Sequence, residues 1–214
     1  MGGKSYKKTR FAALSERFII FPAFLGAWSR LLIDLNRGAD DPTIVMKLSD
    51  GSIIPGNVLG SPEADRAEVA DRIARIHAPY HAAISAALDR IGPEAVIVSM
   101  HSFTPSWKGR PRPWQVGVLY DRDTRLSAPL MTRLQGAGFI VGDNEPYSGA
   151  LKGDTLYQHG TLRGLPHVLI EIRQDLIADK GAAQAFAVRL KPVLDAALAD
   201  MRSGRYAQAG AALA

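Results

Sequence analysis

Apolar positions along the chain fall into short runs separated by turn-forming residues, and the runs alternate between two periods. Ser29-Arg30-Leu31-Leu32-Ile33-Asp34-Leu35 reads as a buried strand that ends at Asn36-Arg37-Gly38. Ser61-Pro62-Glu63 predicts a helix start, with Ser61 as N-cap and Pro62 at the first helical position. Val69, Ile73 and Ile76 carry its apolar stripe at helical spacing. A second helix is predicted from Tyr80 to Ile91, stopped by Gly92-Pro93. Ala95-Val96-Ile97-Val98-Ser99-Met100 has the length and β-branching of a central strand, with His101 at its C-terminal end. Val116–Tyr120, Phe139–Val141 and His167–Ile172 read as further strands, and Thr124–Ala137 and the alanine-rich residues 182–201 as helices. This alternation predicts an α/β, three-layer domain, a central sheet flanked by helices. Residues 1–28 show no clear period and are expected to form an atypical segment ahead of a single domain over 29–214.

Composition narrows the picture without changing it. The 214 residues suit one globular domain with a sizeable core, and 47% apolar residues exclude a disordered chain. There is no cysteine, so neither disulfides nor thiolate-bound metal contribute. The 26 Lys+Arg exceed the 21 Asp+Glu only modestly. The arginines from Arg110 to Arg133 are interleaved with Asp121 and Asp123, a mixed surface rather than a nucleic-acid stripe. Lys4, Lys7, Lys8 and Arg10 ahead of the apolar run Phe18–Trp28 outline a secretory leader. Glu16, Arg17 and Pro22 interrupt that outline, and the run falls short of the ~20 residues of a membrane span. A cytoplasmic protein with no membrane partner is expected.

Three of the predicted strands end in residues that can do chemistry, and in open α/β sheets sites form beyond the carboxyl ends of strands. The first ends in Asp34, Asn36 and Arg37, the second in His101 and Ser102, and the third carries Glu171 and Arg173 on one face. An acid, a histidine and an arginine suit hydrolysis of an acidic substrate. A metal on the histidine would polarise a carbonyl, the glutamate would move a proton, and the arginine would clamp a carboxylate.

Several motifs in order carry a family resemblance. They are Ser29–Arg37, Ile54-Pro55-Gly56-Asn57, Pro79-Tyr80-His81, His101-Ser102-Phe103-Thr104-Pro105, Gly142–Ser148 and Ile170–Leu176. Together, over roughly residues 28–200, they resemble the N-formylglutamate amidohydrolase family, whose fold and catalytic layout are similar to those of zinc carboxypeptidases. The resemblance implies a central mixed sheet, zinc as cofactor and a small acidic N-acyl amino acid as substrate. It further implies His101 as zinc ligand, Glu171 as general base, and Arg37 with Asn36 as holders of the substrate carboxylate. Arg30 would assist there or polarise the carbonyl. Members of the family usually carry an upstream Glu-His motif that supplies further metal ligands. No histidine precedes His77, so the chain reads as lacking that segment, and its remaining metal ligands are unassigned.

Each assignment has a plainer alternative. Glu171 in an apolar strand needs a partner, which Arg173 could be. Asp34 and Arg37 could form an internal ion pair that shapes their turn. His77-x-x-x-His81 has metal-compatible helical spacing but lacks a glutamate and encloses Pro79, so it reads as structural. Asn144 and Tyr147 sit on a loop that either caps the pocket and donates to the transition state or is merely a turn stabilised by Asn144. Trp107 and Trp114 could stack on a ligand or anchor a loop. Two other functional readings compete with the amidohydrolase: a metal-less, non-catalytic remnant binding acidic metabolites weakly, and a carboxypeptidase acting on peptides.

Overall fold

The structure is a computed structural model that describes residues 22–49 and 51–204. The basic stretch Lys4–Arg10 and the start of the apolar run at Phe18 lie outside the described residues. The described chain opens with loops and a small hairpin, β1 (Leu48–Ser49) and β2 (Ser52–Ile53). Helix α1 (Pro62–Arg72) continues through a π-helical segment, Ile73–His77, into α2 (Ala78–Ile91). Strand β3 (Ile97–Phe103) follows, then a second small hairpin, β4 (Ser106–Trp107) and β5 (Arg110–Pro111). The remainder is β6 (Val116–Leu119), α3 (Ser127–Gly136), β7 (Val141–Asp143), α4 (Thr155–His159), β8 (His167–Arg173) and α5 (Lys180–Arg202). No helix among the described residues is long and apolar enough to cross a membrane.

The main sheet has the order β3-β8-β6-β7. β3 runs parallel to β8, β6 antiparallel to β8, and β7 parallel to β6, so the sheet is mixed. Strand alternation sends Val168, Ile170 and Ile172 to one face, where they join Val116 and Val118 in the largest core cluster. Leu126, Leu130 and Leu134 of the α3 region and Phe186, Leu190 and Leu194 of α5 close that side. On the opposite face Leu169 and Leu119 pack on Leu156 of α4, while Ile84 and Leu88 of α2 meet Leu165. Helices therefore cover both faces, giving the three layers that the alternation predicts. The same alternation puts Glu171 on the face of Leu169, away from the largest core.

Helix ends follow their sequence signals. Ser61 Oγ accepts the amide of Ala64 at 3.1 Å, with Pro62 beginning α1. Gly92, at φ 80°, ends α2. Several boundaries move: the helix read from Thr124 begins at Ser127, the strand read as Ala95–Met100 is Ile97–Phe103 and takes in His101, and the strand read as Phe139–Val141 is Val141–Asp143. Phe139 instead turns into the core against Phe186, at 5.7 Å between ring centroids.

The strand expected over Ser29–Leu35 is not a strand. The amides of Leu32 and Ile33 bond to the carbonyl of Ser29, Asp34 N–H reaches Ile44 O, and Asp34 Oδ1 accepts Asn36 N–H in an Asx turn. Only Ile33 of the apolar run is committed deeply, to a satellite cluster with Ile44 and Val45 against Val69, Ile73 and Ile76. A run of apolar residues reports burial, and here a coil buries one side chain while local Ser and Asp bonds satisfy the backbone that a sheet ladder would otherwise take up.

Candidate active site

Two sources supply the site. β3 and β8 are in register with His101 opposite Glu171, and their side chains lie side by side, His101 Nδ1 3.9 Å from Glu171 Oε1. The irregular 30–37 segment brings charge onto this pair. Arg30 bonds Asp34 at 2.9 Å, and both act electrostatically on His101, while Arg30 acts on Glu171 as well.

That segment is held by buried polar side chains. Arg72 at the end of α1 donates to Leu32 O and Asn57 Oδ1, each at 2.7 Å, and to Gly56 O at 2.9 Å, while its Nε bonds Glu68. Asn57 Nδ2 in turn donates to Leu31 O and Met46 O. His77 Nε2 donates to Arg37 O at 2.8 Å and His81 Nε2 to Leu35 O at 3.0 Å. With its Nε2 thus a donor, His81 Nδ1 accepts from His159 Nε2 at 2.9 Å. The histidine pair read as structural therefore clamps the backbone of the very loop that carries Asn36 and Arg37.

Glu171 is 5% exposed, and its Oε2 has no hydrogen-bond partner among the described residues. Desolvation raises its pKa to about 7, against the opposing pull of Arg30 and Arg112. Burial likewise lowers the pKa of His101 to about 4, with Arg30 adding to the fall and Asp34 opposing it. Near neutrality the site thus presents a neutral imidazole beside a carboxyl poised between its two forms, an arrangement suited to accepting and returning a proton.

Other expected residues fall into distinct places. Arg37 lies 4.0 Å from Asp34 and 3.6 Å from Asp41, so its charge is already countered within its own loop. Asn36 Oδ1 is buried without a partner among the described residues. Asn144 adopts φ 49°, and its Oδ1 accepts the amides of Tyr120 and Gly149, fixing the loop after β7. Tyr147 projects from that loop and takes a hydrogen bond on its hydroxyl from Arg112 at 3.2 Å. Arg173 pairs with Asp175 and supports the carbonyls of Arg112 and Pro113, not Glu171.

Residue reading missed Arg112 and the glycines that let the 143–149 loop close over the sheet. A Cβ on Gly117, the register partner of Glu171, would sit 2.2 Å from Glu145 O, and one on Gly142 would sit 2.8 Å from the same atom. The sequence signal for Arg112 was its place among Phe103, Trp107 and Trp114, which a count of charge alone passes over.

The donor set does not complete a zinc site. His101 has suitable chemistry, but no group of three His, Cys, Asp or Glu side chains able to hold a metal occurs among the described residues. A catalytic zinc ordinarily takes three protein ligands and keeps one open position.

No curated protein matches the chain. A gene product from Agrobacterium tumefaciens of known crystal structure is 33% identical, with a TM-score of 0.76 over 90% of this chain and 76% of that one. The crystal structure of N-formylglutamate amidohydrolase from Ralstonia eutropha JMP134 is 23% identical, with a TM-score of 0.54 over 85% of this chain and 76% of that one, a likeness of fold. The family model for N-formylglutamate amidohydrolase matches residues 9–178, so the two halves of the site, the 30–37 loop and the β3–β8 pair, are both those of a chain that belongs to the N-formylglutamate amidohydrolase family.

Proposed function

We propose that the chain is a hydrolase that cleaves the N-formyl, or another N-acyl, amide of a small acidic amino acid such as N-formylglutamate. The observation that carries the reading is Glu171, a buried carboxyl with one oxygen unpartnered among the described residues, beside neutral His101 and within the field of Arg30. Family membership supports a small amino acid derivative as substrate. Glu171 takes a proton from the attacking water and returns it to the leaving amine, and Arg30 stabilises the negative charge that develops on the carbonyl oxygen. The neutral imidazole of His101 is a potential zinc donor. Because the described residues leave the donor set incomplete, water activation is assigned to Glu171 and no step runs through zinc.

The test is formate release from N-formyl-L-glutamate. Glu171→Gln is expected to lower turnover by about 10²–10⁴-fold with the melting temperature kept or raised. Unchanged turnover in that variant overturns the role of Glu171. Elemental analysis of the purified protein separates the cofactor question from this one: near-stoichiometric zinc that is lost in His101→Ala supports zinc dependence. The incomplete donor set favours a second reading, a metal-less domain that binds acidic metabolites without turning them over. Binding of N-formyl-L-glutamate with neither zinc nor formate release would establish it.

A further inference from the structure

The guanidiniums of the 30–37 loop and of β8 each have a carboxylate. Arg30 bonds Asp34, Arg37 lies against Asp34 and Asp41, and Arg173 pairs with Asp175. Arg112 has none among the described residues, although it is only 9% exposed. Its Nη1 donates to Thr104 Oγ1 at 3.1 Å, Thr104 O at 3.4 Å and Tyr147 Oη at 3.2 Å, all neutral acceptors. Nε and Nη2 have no protein acceptor among the described residues. The guanidinium carbon lies 5.1 Å from the ring centroid of Tyr147, 5.5 Å from that of Trp107 and 5.8 Å from that of Phe103.

A desolvated guanidinium is costly unless an anion answers it, and neutral oxygens with ring faces answer it only in part. The missing partner is therefore an anion that arrives from outside. The approach is open: Trp107 on the β4–β5 hairpin and Tyr147 on the loop after β7 are both 43% exposed above the buried charge. Exposed aromatic rings against a planar fork of donors suit a short aliphatic chain that ends in a carboxylate. Arg112 borders the same site, since its guanidinium lies against the ring of Phe103, two residues beyond His101 on β3, and Arg173, two residues beyond Glu171 on β8, donates to its carbonyl.

We infer that Arg112, with Trp107 and Tyr147, binds the side-chain carboxylate of the substrate and so selects acidic over neutral N-acyl amino acids. This assignment rests on the hydrolase reading above for its substrate class. It divides the labour between the arginines: Arg30 and Arg37, already countered by aspartates, are left to the part of the substrate near the scissile amide.

The test pairs N-formyl-L-glutamate with its neutral isostere N-formyl-L-glutamine, using calorimetric binding and formate release on the whole chain. In Arg112→Met the dissociation constant, and KM where turnover occurs, is expected to rise about 30-fold or more for the acid and less than 3-fold for the amide. Arg112→Lys is expected to fall between, because a single ammonium keeps the charge but not the fork. Circular dichroism and thermal melting establish that each variant is folded. If Arg112→Met does not fold, Arg112→Lys carries the same comparison. Equal losses on both compounds, or acid selectivity lost in Arg37→Met and kept in the Arg112 variants, would overturn the assignment, as would failure of the wild-type chain to bind the acid. Selective binding through Arg112 without formate release would leave the clamp standing and remove the hydrolase reading instead.

Discussion

The sheet with its two helices and the lobe at residues 30–57 solve the same problem by different physics. Around β8, α3 and α5 the backbone is positioned by apolar side chains such as Ile170, Leu130 and Leu190, all at or near zero exposure. Among the described residues of the lobe the regular structure is one hairpin of two-residue strands and a single 3-10 turn, and the chain is held by side-chain bonds from Arg72, Asn57, His77 and His81 to its carbonyls. Apolar burial is non-directional, so many neighbours share the effect of any one change. A buried guanidinium serving several acceptors concentrates its effect, because removing it leaves each of them bare. The candidate site lies where the two meet, with Glu171 and His101 from the sheet and Arg30 with Asp34 from the polar side.

The sharpest way to break that contrast is Arg72→Met. It should cost about 3–5 kcal/mol and release the lobe selectively, since Leu32 O, Gly56 O and Asn57 Oδ1 lose their donor together. Hydrogen exchange would then accelerate at the amides of residues 30–57 well before those of β8. Uniform acceleration over both regions would show that the lobe and sheet are one cooperative unit. Leu130→Ala, in the apolar region, should cost about 3 kcal/mol by urea unfolding and lower protection across β6, β8 and α5 alike.

Acid–base behaviour sharpens the comparison further, because the Glu171 carboxyl and the buried histidines carry opposite signs. Glu171 has its pKa raised to about 7 from 4.5, so the folded protein holds the proton more tightly and stability falls as pH rises through that window. The full effect is roughly 3 kcal/mol. His81, clamped in the lobe, has its pKa lowered to about 4 by burial and by His77 and His159. Its contribution is present above the ordinary histidine pKa and is lost as pH falls toward 4, as is that of His101. The wild-type profile between pH 4.5 and 6.5 is thus a partial cancellation. In Glu171→Gln the falling part disappears, and stability should rise with pH throughout that range. A Glu171→Gln profile that matches wild type would show that the carboxyl is not desolvated in the folded protein.

The smallest effect lies at the edge of the lobe. Ser61→Ala removes the N-cap bond to Ala64 and should cost about 1 kcal/mol in thermal or urea melts. Because α1 delivers Arg72, part of that loss should appear as faster exchange in residues 30–57.

How much of this was legible beforehand follows the same division. The strands around Val116 and His167, the helix start at Ser61, the stop at Gly92 and the long closing helix all obey periodicity or capping chemistry that a linear reading detects. His101 and Glu171 were legible as polar residues on apolar strands, and the parallel register of β3 and β8 made them neighbours. Ser29–Leu35 misled because Ile33 alone of its apolar residues is spent on a satellite cluster, while Ser29, Asp34 and the Ile44 carbonyl satisfy its backbone. Arg112 stayed hidden because the absence of a counter-charge is a property of space, not of sequence.

By itself, then, the sequence determined the layer architecture, the ends of most elements and the residue types available for proton transfer, since these depend on local propensity and on the periods of strand and helix. Tertiary structure alone decided that Arg112 would be buried with no carboxylate against it among the described residues, whereas the ion pairs of Arg30, Arg37 and Arg173 join residues two to four positions apart. It also decided which glycines let the 143–149 loop close on the sheet, and that His77 and His81, the latter set by His159, would hold the loop carrying Asn36 and Arg37. The hold on that loop depends on directional bonds between residues 40 to 120 positions apart, such as His77 to Arg37 and Thr155 to Leu35, and no local pattern encodes them.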